Sequence, residues 1–342
     1  MHANGKVTAI EMPPPAPAAS RAPSRDGVLR AARSIAAILP PTPLLPVAIG
    51  GATVWAKAEC LQPIGVFKIR GAWHRLSELD AAERARGVVA VSSGNHAQGV
   101  AWAARRLGIA ATIVMPEDAP RVKLARVREL GAEIVLYDRP GGEDRDAIAG
   151  ALAAERGAVL VHPFGDPWVI EGQGSAGIEL AAQMAAPEDV GAGGPPTRIV
   201  ACCGGGGLAA GLALACPDAE IVTVEPEGWD DVARSLAAGA IQRVGPNPPP
   251  TACDALQTLA TWPINFAVLN GRASGVAVSE AEVREGQRFA FAELRLVLEP
   301  GGAAALAAAL AGKVALDGRT AILLTGGNTD AASFAAVLAR PD

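Results

Sequence analysis

Aromatic residues are scarce in this chain, 4% of the total with a single tyrosine. So few rings fit tightly packed helices on sheets better than the stacking platforms on which unpaired bases lie. Charge is thin as well, at 19% of residues, and the balance is −5 at neutral pH. Without a basic excess there is no footprint for a phosphate backbone, which argues against nucleic acid as a partner. The five cysteines, Cys60, Cys202, Cys203, Cys216 and Cys253, show no C-x-x-C spacing. An odd number without that spacing points to buried thiols in a reducing compartment rather than disulfides or zinc. No apolar run is fit to span a bilayer or to act as a secretory leader. These absences lead to the expectation of a soluble cytoplasmic protein with no membrane partner.

Alanine and glycine are abundant instead, and half of the 342 residues are hydrophobic, 50%. Such a chain can bury a large core and is expected to divide into two lobes. Residues 1–25 are rich in Pro, Ala and Ser and read as a disordered or strap-like tail. A helical pattern begins at Asp26, and PPTPLLP (Pro40 to Pro46) breaks it. Beyond it, apolar β-branched runs alternate with alanine-rich helical stretches. Strands are expected over Val88–Ser93, Ala111–Pro116, Glu133–Asp138, Val159–Phe164, Arg198–Cys203, Glu220–Pro226 and Ala321–Gly327. This alternation predicts an α/β fold of parallel sheets covered by helices. The Gly/Pro-rich stretches Gly191 to Pro196 and Val244 to Thr251 read as surface loops. Folds of this kind bind ligands beyond the carboxyl ends of their strands, so the residues there carry the functional reading.

Three segments stand out. In GVFKIRGA (Gly65 to Ala72) a lysine, Lys68, lies where a turn gives way to a helix. SSGNHAQG (Ser92 to Gly99) follows an apolar strand and opens a helix, where free N–H groups suit a carboxylate. Cys203-Gly204-Gly205-Gly206-Gly207-Leu208 repeats that strand-to-helix arrangement with four glycines, whose amides can close around a phosphate. It is neither a Walker loop nor G-x-G-x-x-G. Each segment alone has an ordinary explanation, as a solvated lysine, an N-cap or a flexible turn.

Taken in order, and with Thr325-Gly326-Gly327-Asn328 near the end, they resemble the serine/threonine dehydratase family of pyridoxal-phosphate (PLP) enzymes, which includes serine racemase. Lesser echoes include Ala119-Pro120 with Lys123, His162-Pro163-Phe164, Asp254-Ala255-Leu256 and Glu299-Pro300-Gly301-Gly302-Ala303. The resemblance runs from about Arg30 to the carboxyl terminus. It implies a two-lobed fold-type II enzyme like the tryptophan synthase β chain, with PLP between the lobes. The small lobe would be 87–164 and the large one 26–86 with 165–342, without a carboxyl-terminal regulatory domain. A homodimer is expected.

The resemblance also assigns roles. Lys68 would link covalently to the cofactor aldehyde and, once freed, remove the α-proton of the substrate. Phe67 and Leu208 would flank the cofactor, Asn95 would bind its ring hydroxyl, and Gly204, Gly205, Gly206 and Gly207 would cradle its phosphate. Thr325 would meet the pyridine nitrogen, making a weaker electron sink than an aspartate would. Ser92, Ser93, Asn95 and His96 would surround the substrate carboxylate. Ser93 stands where racemases carry a hydroxyl opposite the lysine, and a plain cap serine is the rival explanation. Arg145 falls where serine racemase has a substrate-facing arginine, against an ordinary solvated helix arginine. Glu225, Trp229 and Asp231 resemble a site for Mg²⁺ or Ca²⁺, against simple acidic capping of a helix. His74 lies outside these motifs and is expected at the surface, while His162 is expected to be structural. Val66 replaces the family's usual serine, and Cys202-Cys203 replace small apolar residues. The activity expected is elimination of water and then ammonia from a small β-hydroxy amino acid, L-threonine or L-serine first. Racemisation, or dehydration of 3-hydroxyaspartate or an aryl-serine, is the alternative.

Overall fold

The computed structural model describes residues 21–92, 94–119, 121–138, 141–186 and 191–339. Its strands are β1 (Leu44–Ile49), β2 (Ala52–Lys57), β3 (Val88–Val91), β4 (Ala111–Pro116) and β5 (Glu133–Tyr137), followed by β6 (Val159–Val161), β7 (Arg198–Cys202), β8 (Glu220–Pro226), β9 (Ala273–Val278) and β10 (Thr320–Leu323). They form a six-stranded sheet, β1-β2-β10-β7-β8-β9, and a four-stranded sheet, β5-β4-β3-β6. Every pairing is parallel except β1 with β2. Central strands such as β3, β4 and β10 are buried along their whole length, as sheets covered on both faces require. The alternation of strand and helix thus gives the α/β fold that the sequence implies.

Besides strand β9, which is not among the strands expected from the sequence, two details depart from that reading. PPTPLLP does more than break a helix, because its second half enters β1, half of an antiparallel hairpin. Gly50 and Gly51 turn it with φ of 58° and 83°, as a two-residue hairpin turn of the primed type needs. Pro46 is tolerated because β1 is an edge strand. His74, expected at the surface, is 0% exposed. It faces the long helix Pro167–Met184, with Nε2 3.7 Å from the carboxylate of Glu171.

The helix Lys68–Ser77 is fixed at its start by a buried ion network. Arg70 donates through Nε and Nη2 to both oxygens of Glu59 at 2.7 Å, and through Nη2 to Glu179 at 2.9 Å. Lys57 completes it through Glu179, Gln183 and the Thr42 carbonyl. Breaking such a buried pair costs ~3–5 kcal/mol, since the remaining charge cannot reach water. Gly71 allows close approach of the helix Pro167–Met184, as a Cβ there would fall 2.3 Å from Gln173 Nε2. Two residues upstream of Arg70, Lys68 inherits this rigidity. At the amino-terminal end of the described chain, Arg21 donates to both oxygens of Glu171 at 2.6 Å and stacks on Trp168. The rest of the segment read as a tail, residues 1–20, lies outside the described residues.

Candidate active site

A cleft open to solvent lies where the carboxyl ends of β3, β7 and β10 meet the start of the helix Lys68–Ser77. Its lining includes Phe67, Lys68, Ser92, Asn95, His96, Arg145, Gly204 to Gly207, Leu208 and Thr325. Residues far apart in sequence, which the motifs marked separately, are therefore gathered in one place. Ser93 lies outside the described residues.

The Lys68 amine donates to the Pro163 carbonyl at 2.9 Å. Burial, with no carboxylate among the described residues paired to it, brings its pKa down to about 8. A lysine in that state holds a useful fraction of neutral amine near physiological pH. Opposite it, the helix Gly207–Ala215 starts at Gly206, which has φ of 91° and no side-chain cap. The glycines are dictated by packing: a Cβ on Gly205 would lie 2.2 Å from the Phe164 ring, and one on Gly207 3.0 Å from Phe164 Cα. Asn265 and Thr261 hold the loop from behind, both donating to the Gly205 carbonyl, at 2.6 and 3.1 Å.

Asn95 is locked in orientation. Its Nδ2 donates to Glu299 Oε1 at 2.6 Å, and its Oδ1 accepts from Asn328 Nδ2 at 2.9 Å. Burial, reinforced by Asp254, pushes the Glu299 carboxyl up to about 7. Thr325 Oγ1 lies 3.1 Å from Cys202 Sγ. Ser92 Oγ accepts from the Gly94 N–H at 3.0 Å at the mouth of the helix Asn95–Leu107. His96 points its Nε2 to the Val161 carbonyl at 3.1 Å, and burial drops its pKa to about 3, so it is a neutral donor to the backbone. Arg145 lines the cleft and pairs with Asp146, 3.7 Å away on the same exposed turn. His162 accepts backbone N–H groups from Phe164 and Gly165 and stacks on Trp262, a structural role.

Glu225 and Asp231 lie outside this cleft. Glu225 accepts the N–H groups of Val232 and Ala233 at 3.0 and 2.8 Å, capping the helix Asp231–Ala238. Asp231 is 1% exposed, and among the described residues neither of its oxygens has a hydrogen bond of ordinary geometry, although the backbone N–H groups of Thr261 and of Asp231 itself approach them. Burial pushes its carboxyl up to about 7, and burial with Asp231 alongside raises Glu225 too. The Trp229 indole is spent on the Pro249 carbonyl at 2.8 Å. Among the described residues no three of His, Cys, Asp and Glu gather to hold a metal.

Three charged cleft residues received no role from the motifs: Lys123, Asp254 and Glu299. Lys123 pairs with Asp254 at 2.5 Å from the opposite wall. All three sit in short family-like segments, but nothing local announces that 131 residues separate the paired Lys123 and Asp254. Val66, the departure nearest Lys68, is 1% exposed, bridges to Gly326 through its backbone, and is absent from the cleft lining. All five cysteines are buried free thiols, as expected.

The family model described as "Pyridoxal-phosphate dependent enzyme" matches residues 35–326. An L-threo-3-hydroxyaspartate ammonia-lyase of a Pseudomonas species is 41% identical over 297 residues, 84% of this chain and 88% of that one. The crystal structure of a T.th. threonine deaminase shares 44% identity at a TM-score of 0.81, covering 90% of this chain and 99% of that one. Maize serine racemase follows at 33% and a TM-score of 0.84, covering 93% and 97%. The chain belongs to the fold-type II PLP enzymes, in the group of threonine and hydroxyaspartate ammonia-lyases and serine racemases. Its activity is accordingly PLP-dependent elimination or racemisation of an amino acid. The family implies PLP, and the cleft fits it: a buried amine of lowered pKa, an uncapped glycine-rich helix start, and an amide and a hydroxyl on the remaining sides.

Proposed function

We propose that the chain eliminates water and then ammonia from a small β-hydroxy amino acid, giving a 2-oxo acid. The observation that carries this reading is Lys68, unpaired with any carboxylate among the described residues and sharing one cleft with the glycine loop. Bound PLP supplies an electron sink for the charge left at the α-carbon. Lys68 holds the cofactor and then serves as the base for the α-proton. Gly204 to Gly207 take its phosphate through backbone N–H groups, between Phe67 and Leu208. Asn95 commits one Nδ2 hydrogen to Glu299 and keeps the other for the ring hydroxyl. Thr325 offers the ring nitrogen a hydroxyl rather than a negative charge. Ser92, Asn95 and the helix start beside them receive the substrate carboxylate, and His96 steadies that wall through Val161.

The substrates proposed are L-threonine, L-serine and 3-hydroxyaspartate, and Arg145 favours the last. Its guanidinium lines the cleft, and its pairing with Asp146 at 3.7 Å is exposed and therefore weak, so a second substrate carboxylate would compete for it. A screen of β-hydroxy amino acids, scoring 2-oxo acid release, tests the reading. Arg145→Ala should lower kcat/KM for 3-hydroxyaspartate about 10–100-fold, the worth of a charged hydrogen bond, while threonine turnover changes little. Equal losses on both substrates refute the Arg145 assignment.

Racemisation is the second reading, supported by the likeness to maize serine racemase. Ser93 would then donate a proton on the face opposite Lys68, and general acid help of that kind is worth about 10²–10⁴-fold. Chiral assay of residual substrate decides it: Ser93→Ala should depress inversion far more than elimination, and no inversion by the parent protein ends the reading. We also propose that Glu225 and Asp231, with the Trp229 carbonyl, hold Mg²⁺ or Ca²⁺, and that the chain is a homodimer.

A further inference from the structure

Cys202 ends β7, and its side chain reaches the cleft beside Thr325. The two side chains are buried, at 6% and 2% exposure, and their Sγ–Oγ1 separation is 3.1 Å. Among the described residues this contact is the only hydrogen bond recorded for the Thr325 hydroxyl. We propose that Cys202 is a positioning residue: its S–H donates to Thr325 Oγ1 and leaves the Thr325 O–H aimed at the cofactor's ring nitrogen. The inference rests on the reading that Thr325 meets that nitrogen.

Protons and lone pairs decide which group donates. A hydroxyl has one hydrogen and two acceptor sites, and a thiol is both a weak donor and a weak acceptor. Two arrangements are open to the pair. If Thr325 gave its hydrogen to sulfur, the ring nitrogen would face bare lone pairs and would need a proton of its own. Among the described residues no carboxylate is hydrogen-bonded to either side chain to stabilise that proton, Glu299 being engaged by Asn95. If Cys202 donates instead, oxygen accepts in place of sulfur, and the Thr325 hydrogen goes to an unprotonated ring nitrogen, the better acceptor. The thiol retains its hydrogen throughout, because burial pushes its pKa up to about 11. Cys203, next in the chain, cannot substitute, as its Sγ turns to the Gly204 carbonyl at 3.4 Å. An alanine at position 202 would leave the Thr325 hydroxyl free to rotate. A serine would preserve the donor.

The test begins with apoprotein titrated with pyridoxal 5′-phosphate, followed by tryptophan fluorescence and by the visible spectrum of the bound cofactor. Cys202→Ala should weaken cofactor binding about 3–10-fold, the worth of one ordinary hydrogen bond, and shift the visible band. Cys202→Ser should restore both. In a Thr325→Ala background, Cys202→Ala should have no further effect, since the hydroxyl it orients is gone. Unchanged binding and spectrum in Cys202→Ala, or the same loss in both backgrounds, would falsify the inference. A measurement on the unaltered holoenzyme needs no variant: with ring-¹⁵N cofactor, NMR should show an unprotonated, hydrogen-bonded nitrogen, and a protonated one overturns the proposal. Should Thr325→Ala itself leave affinity and spectrum untouched, the Thr325 reading fails and takes this inference with it. If Thr325→Ala acts and Cys202→Ala does not, only the cysteine's role is refuted.

Discussion

Lys68 is the residue on which the chemistry turns, and its environment makes a numerical prediction. The amine can capture the cofactor only in its neutral form. Burial lowers its pKa to about 8 from the ordinary value near 10.5. The capture rate of the apoprotein should therefore climb about tenfold per pH unit below 8 and level off above it. Stopped-flow absorbance between pH 6 and 10 measures this directly. A rate still climbing at pH 10 would show that the amine is solvated and that the cleft is looser than its geometry. Lys68→Ala should lose the visible band and essentially all turnover. At this scale the sequence was most informative, because Lys68, Asn95, Gly204 to Gly207 and Thr325 each sit in a motif of consecutive residues. The partners that fix those residues were not legible. Asn95 and Glu299 are 204 positions apart, and Cys202 and Thr325 are 123 apart. A local pattern carries no information about such pairs.

At the scale of the element, the helix Asp231–Ala238 poses the sharpest energetic question. Its start is capped by Glu225, as plain helix chemistry would have it, yet Asp231 remains buried, and among the described residues its two oxygens have no hydrogen bond of ordinary geometry. An unpaired buried carboxylate is costly unless it is protonated or meets a cation. Its pKa, pushed up to about 7, gives the sign. A carboxyl raised above its unfolded value near 4 binds more protons when folded, so it favours folding below that value and loses the benefit as pH rises through 7. Metal-free protein should accordingly melt lower at pH 8 than at pH 6 from this group alone. Mg²⁺ or Ca²⁺ should raise Tm, and more at pH 8, while Asp231→Ala should abolish the response. If the unaltered protein, verified as metal-free, shows no cation-dependent shift in Tm, capping accounts for the cluster. The acidic residues were visible in the sequence, whereas the orphaned oxygens depend on what packs over them. The hairpin β1–β2 was missed for a different reason. Three prolines in Pro40 to Pro43 masked a strand beginning at Leu44, which only its edge position makes tolerable.

On the scale of the whole molecule, the active site is divided between two sheets. β3 and the helix after it supply Ser92, Asn95 and His96, while β7 and β10 supply the glycine loop and Thr325. Strand–helix alternation was enough to anticipate such parallel sheets, but not how their walls are held at a working distance. The pair Lys123–Asp254 spans the cleft between the two walls. Lys123 lies on the helix Arg121–Glu129, beside the four-stranded sheet, and its side chain is 11% exposed. Asp254 opens a short turn against the helix Pro300–Leu310, on the other side, and is 45% exposed. Half in solvent, the pair is worth only about 0.2–1 kcal/mol, too little to hold the cleft shut but enough to bias it. Its loss should therefore appear in substrate binding before it appears in turnover. Asp254→Asn and Lys123→Ala should each raise KM about 2–5-fold, with kcat altered less, and the double variant should resemble either single one. Raising the salt concentration should reproduce the effect in the parent protein, since the exposed half of the pair is screened. Additive losses in the double variant would show that the two side chains act separately. A fall confined to kcat would place Lys123 or Asp254 in the chemistry itself rather than at the clasp between the sheets.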